Sequence, residues 1–542
     1  MCQVLVSTGA YLSPRGLPSF CPSRGRPLPV RAKAPFSKPA KFKYAATSPT
    51  YGKITSLVQF ISGAGGQELG LVKIAFVTHR FLPEHRAGVE VLTDGLARAV
   101  ATRGHTPLII CADKRNGSSG IAVTRSDYQG LPVLRLRFAV PREAPFLHSI
   151  YHPEVGEKVF EIFRQEHVDL VHVMNCLFLS ASVIDAATRA GLPIVWTLTD
   201  YWPICWKTTL LTWDDRLCPG DWQVSPRECL ACIIHETRTY KSHRLFQGVA
   251  PDHLAAILFR LGRWPAFRRH LPPLVADAVD AVCYRPERLR SLLEKVDVLV
   301  AVNPFAFEVF RRAGLPESRL RLITQTVDTS RILPTQSGNI PSSPGREGST
   351  RLRIGFIGRI NWVKGADLLV RAFMQADSDH QASLEFFGDF DDPTFESALK
   401  RLAGHHPRIR FHGSFPPEQI GTVLASLDVL VVASRWYETG PLTILEAQTA
   451  RVPVICPRLG EMQRMVTHEV NGLHFERGDV DDLARQLRRI IAEPSLLERF
   501  RQNIQPIKSF DEMVREYEIL YMDCLRRTTP ADGWRGNRGS QG

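Results

Sequence analysis

Asp428-Val429-Leu430-Val431-Val432-Ala433-Ser434-Arg435-Trp436-Tyr437-Glu438-Thr439-Gly440-Pro441-Leu442-Thr443-Ile444-Leu445-Glu446-Ala447 joins an apolar run to a turn flanked by two acids. Asp428–Ala433 reads as an apolar strand that runs into a tight loop and the start of a helix. Two carboxylates, Glu438 and Glu446, stand eight positions apart on either side of that turn. In an open parallel sheet, ligands bind at the carboxyl ends of strands. A helix beginning there aims backbone N–H groups at an anion. Glu446 falls about two turns into the helix, within reach of a hydroxylated ligand but not of its phosphates. Amides for a diphosphate and carboxylates for vicinal hydroxyls suit a nucleotide sugar.

Outward from this stretch the same strand–helix grammar appears twice. Strands are expected at Lys73–Thr78, Thr106–Cys111, Val168–Met174, Pro193–Thr197 and Val296–Val302. Between the first two, Val91, Leu92, Leu96, Ala97 and Val100 recur at helical spacing, and Arg103-Gly104 is a C-cap signal. A polar Pro/Gly/Ser linker follows at 335–350. The grammar restarts with strands Leu352–Ile357, Leu384–Phe387, Ile409–Phe411, Asp428–Ala433 and Val452–Cys456. Helices are expected at Ala366–Ala376, Asp481–Ala492 and Pro494–Gln502. The architecture read from this is α/β: two Rossmann-like, doubly wound domains facing across a cleft, the expected site. The bounds are 72–315 for the acceptor-side domain and 316–505 for the nucleotide-sugar-binding domain. A C-terminal helix and disordered tail follow at 506–542.

The chain has 542 residues and a net charge of +13. Residues 1–67 hold nine Lys or Arg and no Asp or Glu. The remainder carries 59 basic against 55 acidic residues and is only +4. The basicity belongs mainly to a Ser/Pro/Gly-rich stretch and argues against a nucleic-acid partner. Residues 1–70 are expected to be a disordered basic extension. Three origins compete for it: a start codon called too far upstream, which is favoured, a transit peptide, and an anionic-membrane binder. No apolar run is long enough to span a membrane. Eleven cysteines, most of them scattered, fit a reducing cytoplasmic setting.

A second loop follows the strand at Ile357: Gly358-Arg359-Ile360-Asn361-Trp362-Val363-Lys364-Gly365. Its flanking glycines let backbone approach a ligand. Arg359 and Lys364 put two cations where a diphosphate would sit, and Arg can grip phosphate in a bidentate way. In the first half, His79–Ala87 leads to Gly88 at a helix start, again an anion-facing geometry, with a plain turn glycine as the alternative.

With Gly88-Val89-Glu90, Gly358-Arg359…Lys364-Gly365 and Glu438-x7-Glu446 in this order, the chain resembles a family-4 glycosyltransferase of the GT-B fold. Val470-Asn471-Gly472-Leu473 with Phe475 and Gly478-Asp479 resembles that family's closing segment, so the likeness covers roughly 72–505. The resemblance implies a retaining hexose transfer from a nucleotide-sugar donor, with no cofactor or metal required for catalysis. Arg359 and Lys364 would stabilise the departing diphosphate, helped by amides around Gly440, Leu442 and Thr443. Glu446 would hold the ribose hydroxyls and Glu438 the donor hexose, while Gly88 would let the first half close over the phosphates. The acceptor implied is a glycan or lipid-linked sugar in cell-surface polysaccharide synthesis.

Some positions depart from the family pattern. Thr199 stands where many relatives carry His before the Asp, Pro441 where glycine is common, and Arg464 where Glu is typical. Asp200 is a candidate for acceptor orientation or proton acceptance, with a turn cap as the alternative. Two rival readings share the fold: a GT-B phosphorylase or epimerase, and a non-catalytic nucleotide-sugar sensor or scaffold.

Two features lie outside these motifs. Cys205, Cys218, Cys229 and Cys232 fall within twenty-eight residues and include one CxxC, so a structural zinc site competes with free thiols or a labile disulfide. Leu254–Arg269 is apolar and basic together; a core-packed helix with solvated arginines is favoured over peripheral membrane contact.

Overall fold

The computed structural model describes residues 71–113, 120–140, 145–220, 224–237, 250–332, 351–377, 381–404 and 406–528. The expectations for 1–70, for the linker 335–350 and for the tail from 529 lie outside these residues.

Short runs of Val, Ile, Leu and Phe, buried on both faces, build two mainly parallel sheets. The first has eight strands in the order β3-β4-β2-β1-β5-β6-β7-β8. Its members are β1 (Lys73–Thr78), β2 (Thr106–Ala112), β3 (Ala122–Tyr128), β4 (Leu131–Arg137), β5 (Leu170–Val173), β6 (Ile194–Leu198), β7 (Val298–Ala301) and β8 (Leu320–Leu322). The second is fully parallel, in the order β11-β10-β9-β12-β13-β14. It comprises β9 (Leu352–Ile357), β10 (Ala382–Phe387), β11 (Ile409–Phe411), β12 (Val429–Val431), β13 (Val454–Pro457) and β14 (Gly472–Phe475). The helices used below are α1 (Gly88–Thr102), α2 (Pro226–Glu236), α3 (Pro251–Gly262), α4 (Pro265–Arg268), α5 (Pro273–Leu293), α6 (Ala366–Ala376), α7 (Leu442–Thr449) and α8 (Phe510–Thr528).

Three differences from the sequence reading have physical reasons. The β3–β4 pair is an antiparallel hairpin at the sheet edge, turned by Gln129 (φ 51°) and Gly130 (φ 87°). Both residues have positive φ, as a two-residue hairpin turn requires. Its outer strand, Ala-Val-Thr-Arg-Ser-Asp-Tyr, is mostly exposed and so lacks an apolar run. Secondly, β8 pairs with β7, so the first sheet extends past the expected boundary at residue 315. Thirdly, α8 is not an appendage of the second half. It crosses back onto the first sheet, where Met513, Val514, Tyr517 and Tyr521 are buried with Ile74, Phe76 and Val195.

A buried polar network fixes this strap. Tyr521 Oη lies 2.7 Å from His172 Nδ1, His172 Nε2 lies 2.7 Å from Thr197 Oγ1, and Thr197 Oγ1 lies 3.0 Å from Tyr517 Oη. Burial lowers the His172 pKa to about 3, so the ring is neutral and can both donate and accept.

Candidate active site

The carboxyl ends of β9 and β12 supply the cations and carboxylates of the site. After β9, Gly358 (φ 131°) and Gly365 (φ 74°) bracket the loop; a Cβ on Gly365 would lie 2.0 Å from the Ala433 carbonyl oxygen. Glycine at 365 therefore brings this loop against the strand that feeds the Glu438 turn. Asn361 organises the loop from within: its Oδ1 accepts from the Lys364 N–H at 2.9 Å, and its Nδ2 donates to Asp391 at 2.6 Å. Arg359 Nη1 lies 3.4 Å from the same Asp391 carboxylate and is half exposed, with its charge towards the cleft.

Glu438 is 5% exposed and collects three donors on one carboxylate oxygen: Lys364 Nζ at 2.7 Å, Ser434 Oγ at 2.5 Å and Trp436 Nε1 at 2.8 Å. The Lys364–Glu438 contact joins the two motifs across seventy-four positions. Arg435 stiffens the assembly, forking onto Asp367 of α6 at 2.8 and 2.9 Å with its guanidinium 4.7 Å from the Trp362 ring. The sequence reading passed over Asn361, Ser434, Arg435 and Trp436. They sit inside the quoted motifs, and only the fold shows what they touch.

A cavity of about 330 Å³ opens between the halves. It is lined by Gly88, Gly358, Arg359, Lys364, Glu438, Gly440, Leu442, Thr443 and Glu446, so the expected donor-site residues meet at one place. Arg86 and Arg331 add cations, and Ile357, Phe415 and Ile420 form an apolar end. Burial raises the pKa of Glu446 to about 7. At Gly88 the first half packs closely on the second over the site: a Cβ there would touch Leu442 Cδ1 at 3.2 Å. The amide cradle is narrower than expected, because Leu442 N–H donates to Gly440 O at 2.8 Å and Ile444 N–H to Pro441 O at 2.9 Å.

The first half also bonds directly to the second beside the Glu438 turn. Thr439 Oγ1 donates to the Thr199 carbonyl at 2.6 Å, Asn303 donates to the Thr439 carbonyl, and Phe305 N–H reaches Glu461 at 3.1 Å. Asp200 is not among the cavity's lining residues. Its carboxylate accepts from Trp202 N–H at 2.8 Å and Asn175 Nδ2 at 2.9 Å, the geometry of a turn cap. In this role it fixes the turn whose Thr199 carbonyl receives Thr439. At the end of β1, His79 Nε2 lies 3.5 Å from Glu90 Oε1. His79 Nδ1 and Glu90 Oε2 are buried without a hydrogen-bond partner. Burial, reinforced by Arg80 and Arg359, lowers His79 to about 3, while burial raises Glu90.

Of the competing readings for Cys205, Cys218, Cys229 and Cys232, the structure has the free thiols. The four thiols sense one another, and Cys229 and Cys232 lie one turn apart on α2. Among the described residues, however, no three His, Cys, Asp or Glu side chains are placed to hold a metal ion, and the cysteines are free. Burial, with the neighbouring thiols, pushes Cys218 up to about 12 and Cys232 to about 11, so without a cation both are protonated thiols. Buried Arg285 stands beside them, donating to the Trp202 carbonyl with its guanidinium 4.8 Å from that ring.

Two family models match the chain: "Glycosyl transferases group 1" over residues 343–506 and "Glycosyl transferase 4-like domain" over residues 87–227. An uncharacterised glycosyltransferase of Methanocaldococcus jannaschii is 23% identical over 239 residues, 43% of this chain and 61% of its own length. The N-acetyl-alpha-D-glucosaminyl L-malate synthase of Bacillus anthracis is 25% identical over 244 residues, 44% of this chain and 62% of its own length. The chain thus spans less than two thirds of these curated relatives. The Anabaena protein HepE, solved in complex with UDP and glucose, shares the fold: TM-score 0.53 at 16% identity, over 83% of this chain and 99% of that one.

Proposed function

Both halves match glycosyltransferase models, so the chain belongs to the family-4 glycosyltransferases of the GT-B fold, and on that premise we propose that it moves a hexose-type sugar, with retention, from a nucleotide-sugar donor to a glycan or lipid-linked acceptor. The observation that carries this reading is the Lys364–Glu438 contact at the cavity floor, with Arg359 and Glu446 on the same lining.

In this reading the donor's diphosphate lies against Arg359 and Lys364, and its ribose hydroxyls donate to Glu446. Charge that develops on the leaving diphosphate is met by cations already fixed in place, which is worth most where water is excluded. Glu438 is a weak candidate for a general base, because one of its oxygens already takes three donors. It holds Lys364 and presents its other oxygen to the donor hexose. The acceptor approaches from the first half, whose Arg86, Gly88 and Val91 line the cavity, while His79 and Glu90 lie buried outside that lining with unpartnered polar atoms. HepE, of like fold, binds UDP and glucose, which supports a nucleotide-sugar donor here.

A thermal-shift panel of nucleoside diphosphates and nucleotide sugars tests the reading, since a specific ligand stabilises the fold by mass action. One base should raise Tm in the wild type and fail to do so in Glu446→Ala. A flat panel across all bases would contradict it. Transfer by the wild type, absent in the same variant, separates enzyme from sensor.

A further inference from the structure

Three of the ten large hydrophobic side chains exposed among the described residues fall within 257–267, away from the cavity lining. On α3 and α4, Ile257 is 56% exposed, Trp264 60% and Phe267 47%. Ile257 and Arg260 share one face of α3, and Trp264 and Phe267 lie just beyond its end, at the start of and within α4. The Trp264 and Phe267 rings stack on each other, centroids 5.5 Å apart and 11° from parallel, instead of folding into the core. Only Pro251, Ala255 and Gly262 of α3 are buried; Gly262 seats against Val279 of α5. The expected core-packed helix with solvated arginines is found, with Leu254, Leu258 and Phe259 against the core, and Ile257, Trp264 and Phe267 are the apolar side chains left outside it.

This surface is also cationic. Arg260, Arg263 and Arg269 are exposed and have no carboxylate partner among the described residues. Arg263 leans over Phe259, with its guanidinium 5.6 Å from the ring, and Arg269 reaches only His270. Arg268 is neutralised by Asp280 of α5, and Asp252 is the one acid within 251–271. A stacked Trp–Phe pair ringed by unpaired arginines fits a membrane interface: aromatic rings enter at headgroup level while guanidinium groups meet lipid phosphates. A soluble protein partner would more often pair such arginines with acids and bury the rings in a shaped pocket.

We propose that the α3–α4 face is a peripheral docking surface for an anionic phospholipid bilayer, with Ile257, Trp264 and Phe267 inserted and Arg260, Arg263 and Arg269 on the phosphates. This does not depend on the transferase reading, and donor binding stays intact if it fails. The full chain should co-sediment with vesicles of phosphatidylcholine containing phosphatidylglycerol, and hardly at all with phosphatidylcholine alone. Added salt should release it. Trp264→Ser with Phe267→Ser should weaken binding at least about tenfold. Reversing Arg260, Arg263 and Arg269 to Glu should cost roughly fivefold per arginine or more. Both variants change exposed side chains, so their thermal unfolding should match the wild type.

Three results would overturn the proposal. No binding of wild type to the anionic vesicles is the first. Undiminished binding of both variants is the second, since it would assign membrane affinity elsewhere, such as the basic residues 1–67. Equal capture by a soluble polyanion, insensitive to the Trp264/Phe267 change, is the third.

Discussion

The carboxyl ends of the two sheets meet across one cleft, yet their polar groups are in opposite states. On the second sheet, Glu438 takes three donors and Asn361 pins both Lys364 and Asp391 before any ligand arrives. On the first, His79 Nδ1 and Glu90 Oε2 are buried and unpartnered. A polar atom buried without a partner costs on the order of 1–3 kcal/mol, so such a site gains when a hydroxyl fills it. In the proposed reading the donor side is preorganised, whereas the acceptor side gains its remaining hydrogen bonds only once substrate is bound. This comparison predicts that damage to the second sheet's cluster hits the chemical step, whereas damage to the first sheet's pair hits acceptor recognition.

The sharpest way to break it is at Glu438. Glu438→Gln leaves Ser434 and Trp436 in place but removes the charge that holds Lys364. Transfer should fall on the order of 10²–10³-fold in kcat, with little change in Tm. A loss confined to KM would mean the cluster only binds.

At Glu446 the effect should be smaller and dependent on pH. Its pKa in the free protein is raised to about 7 by burial. Ribose hydroxyls donate to the ionised form and lower that value on binding. Nucleotide affinity should therefore rise as pH increases through 7 and weaken below it. Glu446→Gln should remove the pH dependence and lose about tenfold in affinity, as expected for one charge-assisted hydrogen bond. Calorimetric titrations at several pH values check both.

On the first sheet, His79→Ala or Glu90→Gln should raise the acceptor KM several-fold while donor affinity stays within about twofold. Equal loss of donor affinity would erase the proposed division between the halves.

The smallest effect concerns the strap between them. Tyr521→Phe removes one buried partner of His172 and should cost about 1–2 kcal/mol of stability without altering donor affinity. The same histidine sets a pH window. Its folded pKa of about 3 lies below the unfolded 6.5, so its share of stability is complete above 6.5 and is lost as pH falls towards 3. Chemical denaturation across that range checks the direction.

What the sequence disclosed follows the same division. The second half was legible because its chemistry lies in contiguous motifs: Gly358–Gly365 and Glu438–Glu446 keep their spacing in any fold that ends strands there. Its strands are apolar runs, and β9, α6 and β12 fall close to where periodicity puts them. The first half was harder to read, because its defining contacts are distant in the chain. Tyr521 reaches His172 across 349 positions, which no local pattern records. The β3 strand faces water and so lacks the apolar signature, leaving Gln129-Gly130 as its one clear sign. Asp200 could be read as catalyst or cap until Trp202 and Asn175 were seen on its two oxygens. For the cysteines, spacing alone could not reveal how burial and Arg285 surround the thiols.

The central claim is that catalysis rests on cations fixed against the donor's diphosphate, and single-turnover donor cleavage by Lys364→Met tests it most directly. At saturating donor, with the fold checked by Tm, the rate should drop by about three orders of magnitude from wild type, as expected for a lost transition-state charge contact. A rate within about threefold of wild type under the same conditions would contradict the account.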